Sequence, residues 1–391
     1  MKAVVFAAGL GKRLRPLTSF RPKHLLPLVD KPVLIRVLEA LLGNGIREVG
    51  ITVAYMDESI RRAVAKERLP MDITFIPQKE LLGTAHALYA CKDFLEGEDS
   101  FIVIYGDITI TEDVVKELLS SFGERNCDGV MLAVMVRDAS SFGMLKEKDG
   151  MLERVIEKPT ERLLDAYVNA GAYILPSESI EYFSRIKPSA RGEYELTDIL
   201  NLLVEEGYRI HVLKMKGSLW FDIGRAWDLL DANAAFLEYL SNKRDYLPAE
   251  GRFLRPGICI ETENGAKLFG PCFLGGNVKL GKGSSVLPYT VVLDGTSVGD
   301  GAMLGNSLIL ENVTIGEGSA ILHSVVGEGA ALGAGCTTRY RTSGHETIKV
   351  MVAGGLIDTG RREFGAIISP YSKVPAGTVL EPGEVYWQEG S

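Results

Sequence analysis

In the second half of the chain an aliphatic residue returns at every sixth position. Leu268, Leu274, Leu280, Val286, Val292, Val298, Leu304 and Leu310 keep this step; after a slip of one residue Ile315 and Ile321 continue it, and another slip leads to Val326 and Leu332. An α-helix repeats about every 3.6 residues and an exposed strand every second one, so neither sustains such a period. A β-solenoid does, because each face contributes one inward aliphatic and small residues turn the corners. Gly275, Gly281, Gly299, Gly305, Gly316, Gly327 and Gly333 follow members of the series.

The first half is written differently. Ala3, Val4, Val5 and Phe6 read as a buried strand, 32–42 as a helix, 49–53 as a strand, 59–66 as a helix and 101–105 as another apolar strand. This alternation predicts βαβ units and a mainly parallel sheet with helices on both faces. Such sheets bind ligands beyond the carboxyl ends of their strands, which singles out residues 7–12 and the pair Gly106-Asp107. Polar composition with Pro248 and Pro256 marks the connection. The expected organisation is an α/β domain over 1–235, a linker over 236–256 and a solenoid over 257–391.

A net charge of −8 leaves no surplus of Lys and Arg for a nucleic-acid backbone, so no nucleic-acid partner is expected. No apolar run approaches the roughly 20 residues of a membrane span. A strand begins at Lys2 without a charged, apolar leader. Cys91, Cys127, Cys259, Cys272 and Cys336 lack metal-ligand spacing. A cytoplasmic protein with reduced thiols and no membrane partner is the expectation.

The densest chemistry lies in Ala7-Ala8-Gly9-Leu10-Gly11-Lys12-Arg13-Leu14-Arg15-Pro16-Leu17-Thr18 and the following Arg21-Pro22-Lys23. Glycines after a strand let backbone N–H groups approach phosphate oxygens without Cβ obstruction. A P-loop is excluded because no Gly-Lys-Ser/Thr occurs at its spacing, and a dinucleotide fingerprint because Leu14 stands where its third Gly belongs. The loop instead delivers the cations Arg13 and Lys23, suited to a triphosphate. Asp107, directly after a buried strand, is placed to hold Mg²⁺, a hard cation that takes one or two carboxylates plus phosphate oxygens. Asp222, in Trp220-Phe221-Asp222-Ile223-Gly224, is the second candidate.

These motifs resemble the sugar-1-phosphate nucleotidylyltransferases, whose signature is a strand, G-x-G-x-R-x-x-P-L-T and then P-K. The resemblance covers about the first 235 residues, and the family's solenoid tail covers much of the rest. It implies a Rossmann-like nucleotidyltransferase domain followed by a left-handed parallel β-helix of hexapeptide repeats. By position it also implies roles. Arg13 and Lys23 would hold the triphosphate, with Gly11 in the same loop. Ala8 and Gly9 would meet the base through backbone, and Gln78 with the Gly83-Thr84 turn would read its edge. Lys158 would bind the sugar's phosphate, while Glu157, Asn169 and the backbone of Gly143 take sugar hydroxyls. Asp107 and Asp222 would share Mg²⁺. His86, inside the following helix, reads as structural.

The implied reaction joins a nucleoside triphosphate to a sugar 1-phosphate with loss of pyrophosphate. The run Leu82-Gly83-Thr84-Ala85-His86-Ala87 is nearest to enzymes using UTP or dTTP with glucose-1-phosphate or N-acetylglucosamine-1-phosphate. Alternatives are a mannose-1-phosphate guanylyltransferase and a non-catalytic scaffold or regulatory subunit. A further alternative is a bifunctional enzyme whose solenoid acetylates glucosamine-1-phosphate with acetyl-CoA. His323 and Lys349 resemble such relatives, but Cys336-Thr337-Thr338-Arg339-Tyr340 lacks their Asn and Glu346 stands where a Lys is expected. The solenoid would more simply serve to build a homo-oligomer, such as a trimer, or to shield the first domain.

Overall fold

Nine strands form the sheet of the first half: β1 Ala3–Phe6, β2 Glu48–Val53, β3 Asp72–Pro77, β4 Ser100–Tyr105, β5 Gly129–Asp138, β6 Gly143–Lys148, β7 Met151–Glu157, β8 Leu164–Pro176 and β9 Ile210–Met215. Their order is β3-β2-β1-β4-β8-β5-β9-β7-β6. They belong to a computed structural model that describes residues 1–139, 142–157, 164–215, 219–242, 252–254, 259–262 and 264–387. The four strands β3, β2, β1 and β4 run parallel, as the alternating pattern predicts. β8 then pairs antiparallel with both β4 and β5, and β6 with β7, so the sheet is mixed rather than parallel throughout. All four residues of β1 are buried, which a strand covered on both faces requires.

Helices supply the covering layers. In α1, Val33–Gly43, residues Val33, Leu34, Ile35, Val37, Leu38, Ala40 and Leu41 are buried. The more polar α2, Asp57–Glu67, buries only Ile60 and Val64 and keeps its charged residues outward. Three helices matter below: α3 Thr84–Ala90, α4 Leu196–Glu205 and α5 Ala226–Asn242. The last continues through 236–242, the first part of the expected linker, because Phe236, Leu237 and Leu240 are buried along it.

Backbone contacts gather the chain into two compact units. One comprises Met1–Leu10 and Val33–Asp222; the other comprises Gly11–Pro32 and Ile223–Ser391. The second unit therefore takes in the glycine-rich loop beyond Leu10 and helix α5 as well as the solenoid.

Among the described residues the six-residue period produces three sheets of short strands, seven, seven and five to a sheet, parallel except for the first strand of each seven-stranded sheet, consistent with a left-handed β-helix. Successive coils stack their inward residues: Leu268 beside Val286, Leu304 and then Ile321 on one face, and Leu280, Val298, Ile315, Leu332 and Val374 on another. On the third face Val292 pairs with Ile309, not with Leu310. The slip thus falls one step earlier than the sequence series suggests, because the coil there is one residue shorter and Leu310 moves past the inward position. On this third face the outward residues Phe273, Val291, Leu308, Val325 and Ile367 are buried as well. Trp227 of α5 meets Phe364 there in a T-shaped contact, ring centroids 6.0 Å apart. An antiparallel hairpin, Lys349–Val352 with Gly355–Asp358, interrupts the coils before they resume.

The five cysteines are unbonded, and burial pushes the Cys91 and Cys272 thiols up to about 12, in keeping with packing rather than reactivity. Among the described residues no helix is long and apolar enough to cross a membrane.

Candidate active site

The carboxyl ends of β1 and β4 lie side by side, with Phe6 in register with Tyr105 and the Gly106 N–H donating to the Phe6 carbonyl at 2.9 Å. Ala7 is tied to the neighbouring β2 through Thr52, whose carbonyl accepts its N–H at 3.0 Å. Ala8, buried, and Gly9, half-buried, therefore leave the sheet where β4 delivers Asp107.

Asp107 and Asp222 are 115 positions apart in sequence, yet the fold draws them together. Ile108 and Asp222 form an antiparallel bridge. Thr109 reinforces it: its N–H donates to the Phe221 carbonyl at 2.9 Å, its hydroxyl donates to Leu219 at 2.6 Å and accepts the Phe221 N–H at 2.8 Å. Asp107 directly precedes the bridged Ile108 and so stands next to Asp222 along the chain's path. Both residues are half-buried. Among the described residues no group of three or more His, Cys, Asp or Glu could hold a metal ion. A pair of carboxylates alone suits a divalent ion that completes its shell with phosphate oxygens and water.

Gly83 sits at the head of α3 with φ 113°, where a Cβ would come 2.4 Å from the Tyr194 carbonyl oxygen. No side chain fits there. The Ala85 N–H donates to that same carbonyl at 2.9 Å, the Tyr194 N–H to Leu82 at 2.6 Å, and the Leu196 N–H to the Thr84 hydroxyl at 2.9 Å. Gln78, almost fully buried, donates its amide to the Gly83 carbonyl at 3.3 Å, and its Nε2 lies 3.3 Å from His86 Nδ1. Gln78 thereby braces the Gly83-Thr84 turn from behind.

The three residues assigned to the sugar meet across β6, β7 and β8. Gly143 is in register with Glu157. A Cβ on Gly143 would lie 2.9 Å from Glu157 Oε2 and 3.6 Å from the Asn169 side chain. Asn169 marks an irregularity where β8 shifts register against β5. Its Oδ1 accepts the Gly171 N–H at 3.1 Å and the Tyr173 hydroxyl at 2.6 Å. The Tyr173 hydroxyl is 3.4 Å from that of Tyr105. One polar chain, Tyr105–Tyr173–Asn169, therefore runs from the end of β4 to a residue assigned to the sugar. Burial pushes both phenols well above their ordinary range, so they stay protonated and keep the chain closed.

Sequence reasoning missed these tyrosines and the charged group around Glu157. Thr197 donates to Glu157 Oε2 at 3.3 Å, and the Arg191 guanidinium lies 3.7 Å from Glu157 and 2.6 Å from the buried Glu195. Desolvation, with Glu195 nearby, raises the Asp198 carboxyl above its usual range. The available signal was the density of charge in Arg191-Gly192-Glu193-Tyr194-Glu195 ahead of an amphipathic helix. Lys158 lies outside the described residues.

Arg13 and Lys23 lie in the loop that continues from β1 and belongs to the second unit. Gly11, with φ 63°, lets the loop fold back so that a Cβ there would be 3.0 Å from Lys23 Cβ; the Thr18 hydroxyl donates to the Gly11 carbonyl at 2.8 Å. Arg13 is exposed and Lys23 half-buried.

Similarity to known proteins identifies the class of enzyme. The profile of the family described as nucleotidyl transferase matches residues 2–239, and that of the GMPPB C-terminal domain matches 268–355. A bifunctional sugar-1-phosphate nucleotidylyltransferase/acetyltransferase of Sulfurisphaera tokodaii is 30% identical over 98% of this chain and 93% of its own length. A glucose-1-phosphate thymidylyltransferase of Streptomyces griseus is 33% identical over 77% of this chain and 84% of its own. A solved structure from Bacillus anthracis, described as a glucose-1-phosphate thymidylyltransferase, superposes with a TM-score of 0.55 at 29% identity, covering 64% of this chain and 98% of that one. The chain belongs to the nucleotidyl transferase family, among the sugar-1-phosphate nucleotidylyltransferases. Members of this family generally use a divalent metal.

Proposed function

We propose that the enzyme transfers a nucleotidyl group from UTP or dTTP to glucose-1-phosphate or N-acetylglucosamine-1-phosphate. The observation that carries this is the Ile108–Asp222 bridge, which draws two carboxylates to the sheet edge where β1 ends. An oxygen of the sugar's 1-phosphate attacks the α-phosphorus in line; the bond to the β-phosphate oxygen breaks, and pyrophosphate leaves. No covalent enzyme intermediate is needed, so the protein's contribution is orientation and charge stabilisation.

Each residue then has one task. The backbone at Ala8 and Gly9, with the turn Gly83-Thr84 braced by Gln78, orients the base. Arg13 and Lys23 offset the charge of the triphosphate and of the departing pyrophosphate, and Lys158 takes the sugar's phosphate. Glu157 accepts from sugar hydroxyls. Asn169, whose Oδ1 is engaged by Gly171 and Tyr173, offers its Nδ2 to another. Asp107 and Asp222 would hold Mg²⁺, which supplies positive charge where two anionic substrates must approach.

A grid of nucleoside triphosphates against sugar 1-phosphates, read by pyrophosphate release, tests the reading. Turnover confined to GTP with mannose-1-phosphate would replace it by the guanylyltransferase alternative; no turnover with any pair would leave only the scaffold.

Acetyl transfer by the β-helix is the second reading, favoured by the full-length similarity to the Sulfurisphaera protein. The local geometry speaks against it. His323 stacks on Tyr340 at 4.2 Å, and its Nδ1 lies 3.0 Å from Asn306 Nδ2. Its Nε2 lies 3.8 Å from Glu363, so both ring nitrogens stand beside polar side chains of the solenoid. Thiol release from acetyl-CoA with glucosamine-1-phosphate separates the two readings.

A further inference from the structure

Besides Arg13 and Lys23 the signature loop contains Arg21, which neither the motif nor the reaction employs. Arg21 is largely withdrawn from solvent, and its guanidinium is bound to the β-helix. Nη1 donates to Glu311 Oε1 at 3.2 Å, Nη2 donates to Glu311 Oε2 at 2.7 Å, and Nη2 also pairs with Glu328. The Tyr371 hydroxyl donates to the other Glu328 oxygen at 2.9 Å, and Tyr371 packs edge-on against Phe20, the residue before Arg21.

Glu311 and Glu328 hold equivalent corners of successive coils. The Gly329 N–H donates to the Glu311 carbonyl and the Tyr371 N–H to the Glu328 carbonyl, each one coil further on. Coils stack at strand spacing, about 4.8 Å. Two like charges at that separation repel and weaken the stack unless a cation sits between them. The solenoid thus carries a carboxylate pair that is costly to it alone and is relieved by one residue of the loop. A planar guanidinium can bridge both carboxylates, which an ammonium cannot do bidentately.

We propose that Glu311 and Glu328 form a socket that grips Arg21 and thereby fixes the loop bearing Arg13 and Lys23, making the β-helix a positioning element for nucleotidylyl transfer. Arg21 precedes Pro22-Lys23 directly, and Lys23 packs on the Gly11 turn, so an anchor at Arg21 restrains the whole return of the loop. A second tie holds the same segment: Asn233 of α5 accepts the Val29 N–H at 2.7 Å and donates to the Pro27 carbonyl at 2.9 Å. Helix α5 is in turn paired to the solenoid through Arg361 with Asp228 and Asp231. Arg21 does not touch substrate in this scheme. The proposal rests on the reading that Arg13 and Lys23 face the triphosphate.

The test uses the full chain with Arg21→Met, Arg21→Lys and the double variant Glu311→Gln with Glu328→Gln. Arg21→Met should lower kcat/KM for the triphosphate about 10-fold to 100-fold while the KM for the sugar phosphate stays near wild type. Arg21→Lys should recover part of the loss. The double Gln variant should reproduce it, and adding Arg21→Met to that variant should cost no more. Losses that simply add, or a double Gln variant with wild-type kinetics, would overturn the socket. Hydrogen exchange on the ligand-free protein keeps this separate from the assignment of substrates: the amides of Leu14, Leu25 and Leu26 should exchange faster in Arg21→Met. Unchanged exchange there overturns the proposal even if wild-type turnover is found; faster exchange upholds the anchor even if no substrate pair is.

Discussion

The sheet edge and the β-helix use the same chain chemistry to opposite ends. At the sheet edge nothing repeats: Gly83 presses on Tyr194, Gly143 on Glu157, and Asn169 sits where strand register breaks. In the β-helix the same small residue recurs at corners, and Gly283, Gly301, Gly318 and Gly335 face open space. The inward positions repeat one aliphatic after another. Irregular backbone lets side chains distant in sequence converge on one ligand, whereas regular backbone spreads burial evenly and makes each coil depend chiefly on its neighbours. Arg21 draws on the regular part alone, a single loop residue held by two corners of the same unit.

This contrast can be broken by substitutions whose effects on turnover should fall in a definite order. Asp107→Asn should reduce kcat by at least about 100-fold with an unchanged thermal midpoint, since it removes charge but not shape. Wild-type turnover in that variant would remove Asp107 from the metal site. Chelation with EDTA should abolish the activity as fully, and Mg²⁺ should restore it.

Gly83→Ala comes next. Its Cβ cannot share space with the Tyr194 carbonyl, so the turn must move, and a shift near 1 Å at a positioning element costs about 10-fold to 100-fold in rate. If steady-state kinetics showed only a raised KM for the sugar phosphate, the assignment of this turn to the base would be wrong.

Tyr173→Phe should cost less, a few-fold in kcat/KM, because it severs one link of a polar chain while preserving the ring's packing. Burial holds the phenol well above its ordinary pKa, so it stays protonated through the working range. The pH profile below about pH 9 should therefore keep its shape; a lost or shifted limb would show that the group titrates.

Leu304→Ala should leave turnover nearly untouched while destabilising the β-helix by about 2–5 kcal/mol, seen as a lowered denaturation midpoint. A large loss of kcat at a temperature where that variant is fully folded would mean that coil packing, and not only the Arg21 anchor, reaches the chemistry.

Much of this was legible in the sequence. A six-residue period admits almost no other architecture, and a buried strand followed by Gly9, Gly11, Arg13 and Lys23 marks the loop that we propose faces the triphosphate, because local spacing sets which groups the backbone can present together. The exception at Leu310 is instructive: both Ile309 and Leu310 are buried, and hydrophobicity cannot say which faces inward once a coil shortens by one residue.

Other features needed the fold. The antiparallel half of the sheet could not be read from alternation, since parallel and antiparallel strands share one apolar signature when both faces are covered. The bridge of Asp222 with Ile108, next to Asp107, the Tyr105–Tyr173–Asn169 chain and the Arg21 socket all join residues far apart in sequence. Sequence by itself determined the kinds of backbone and the chemical groups on offer, because those follow from local periodicity and residue type. Only tertiary structure decided which of those groups stand within hydrogen-bonding distance, because that depends on strand register and loop closure summed over the whole chain.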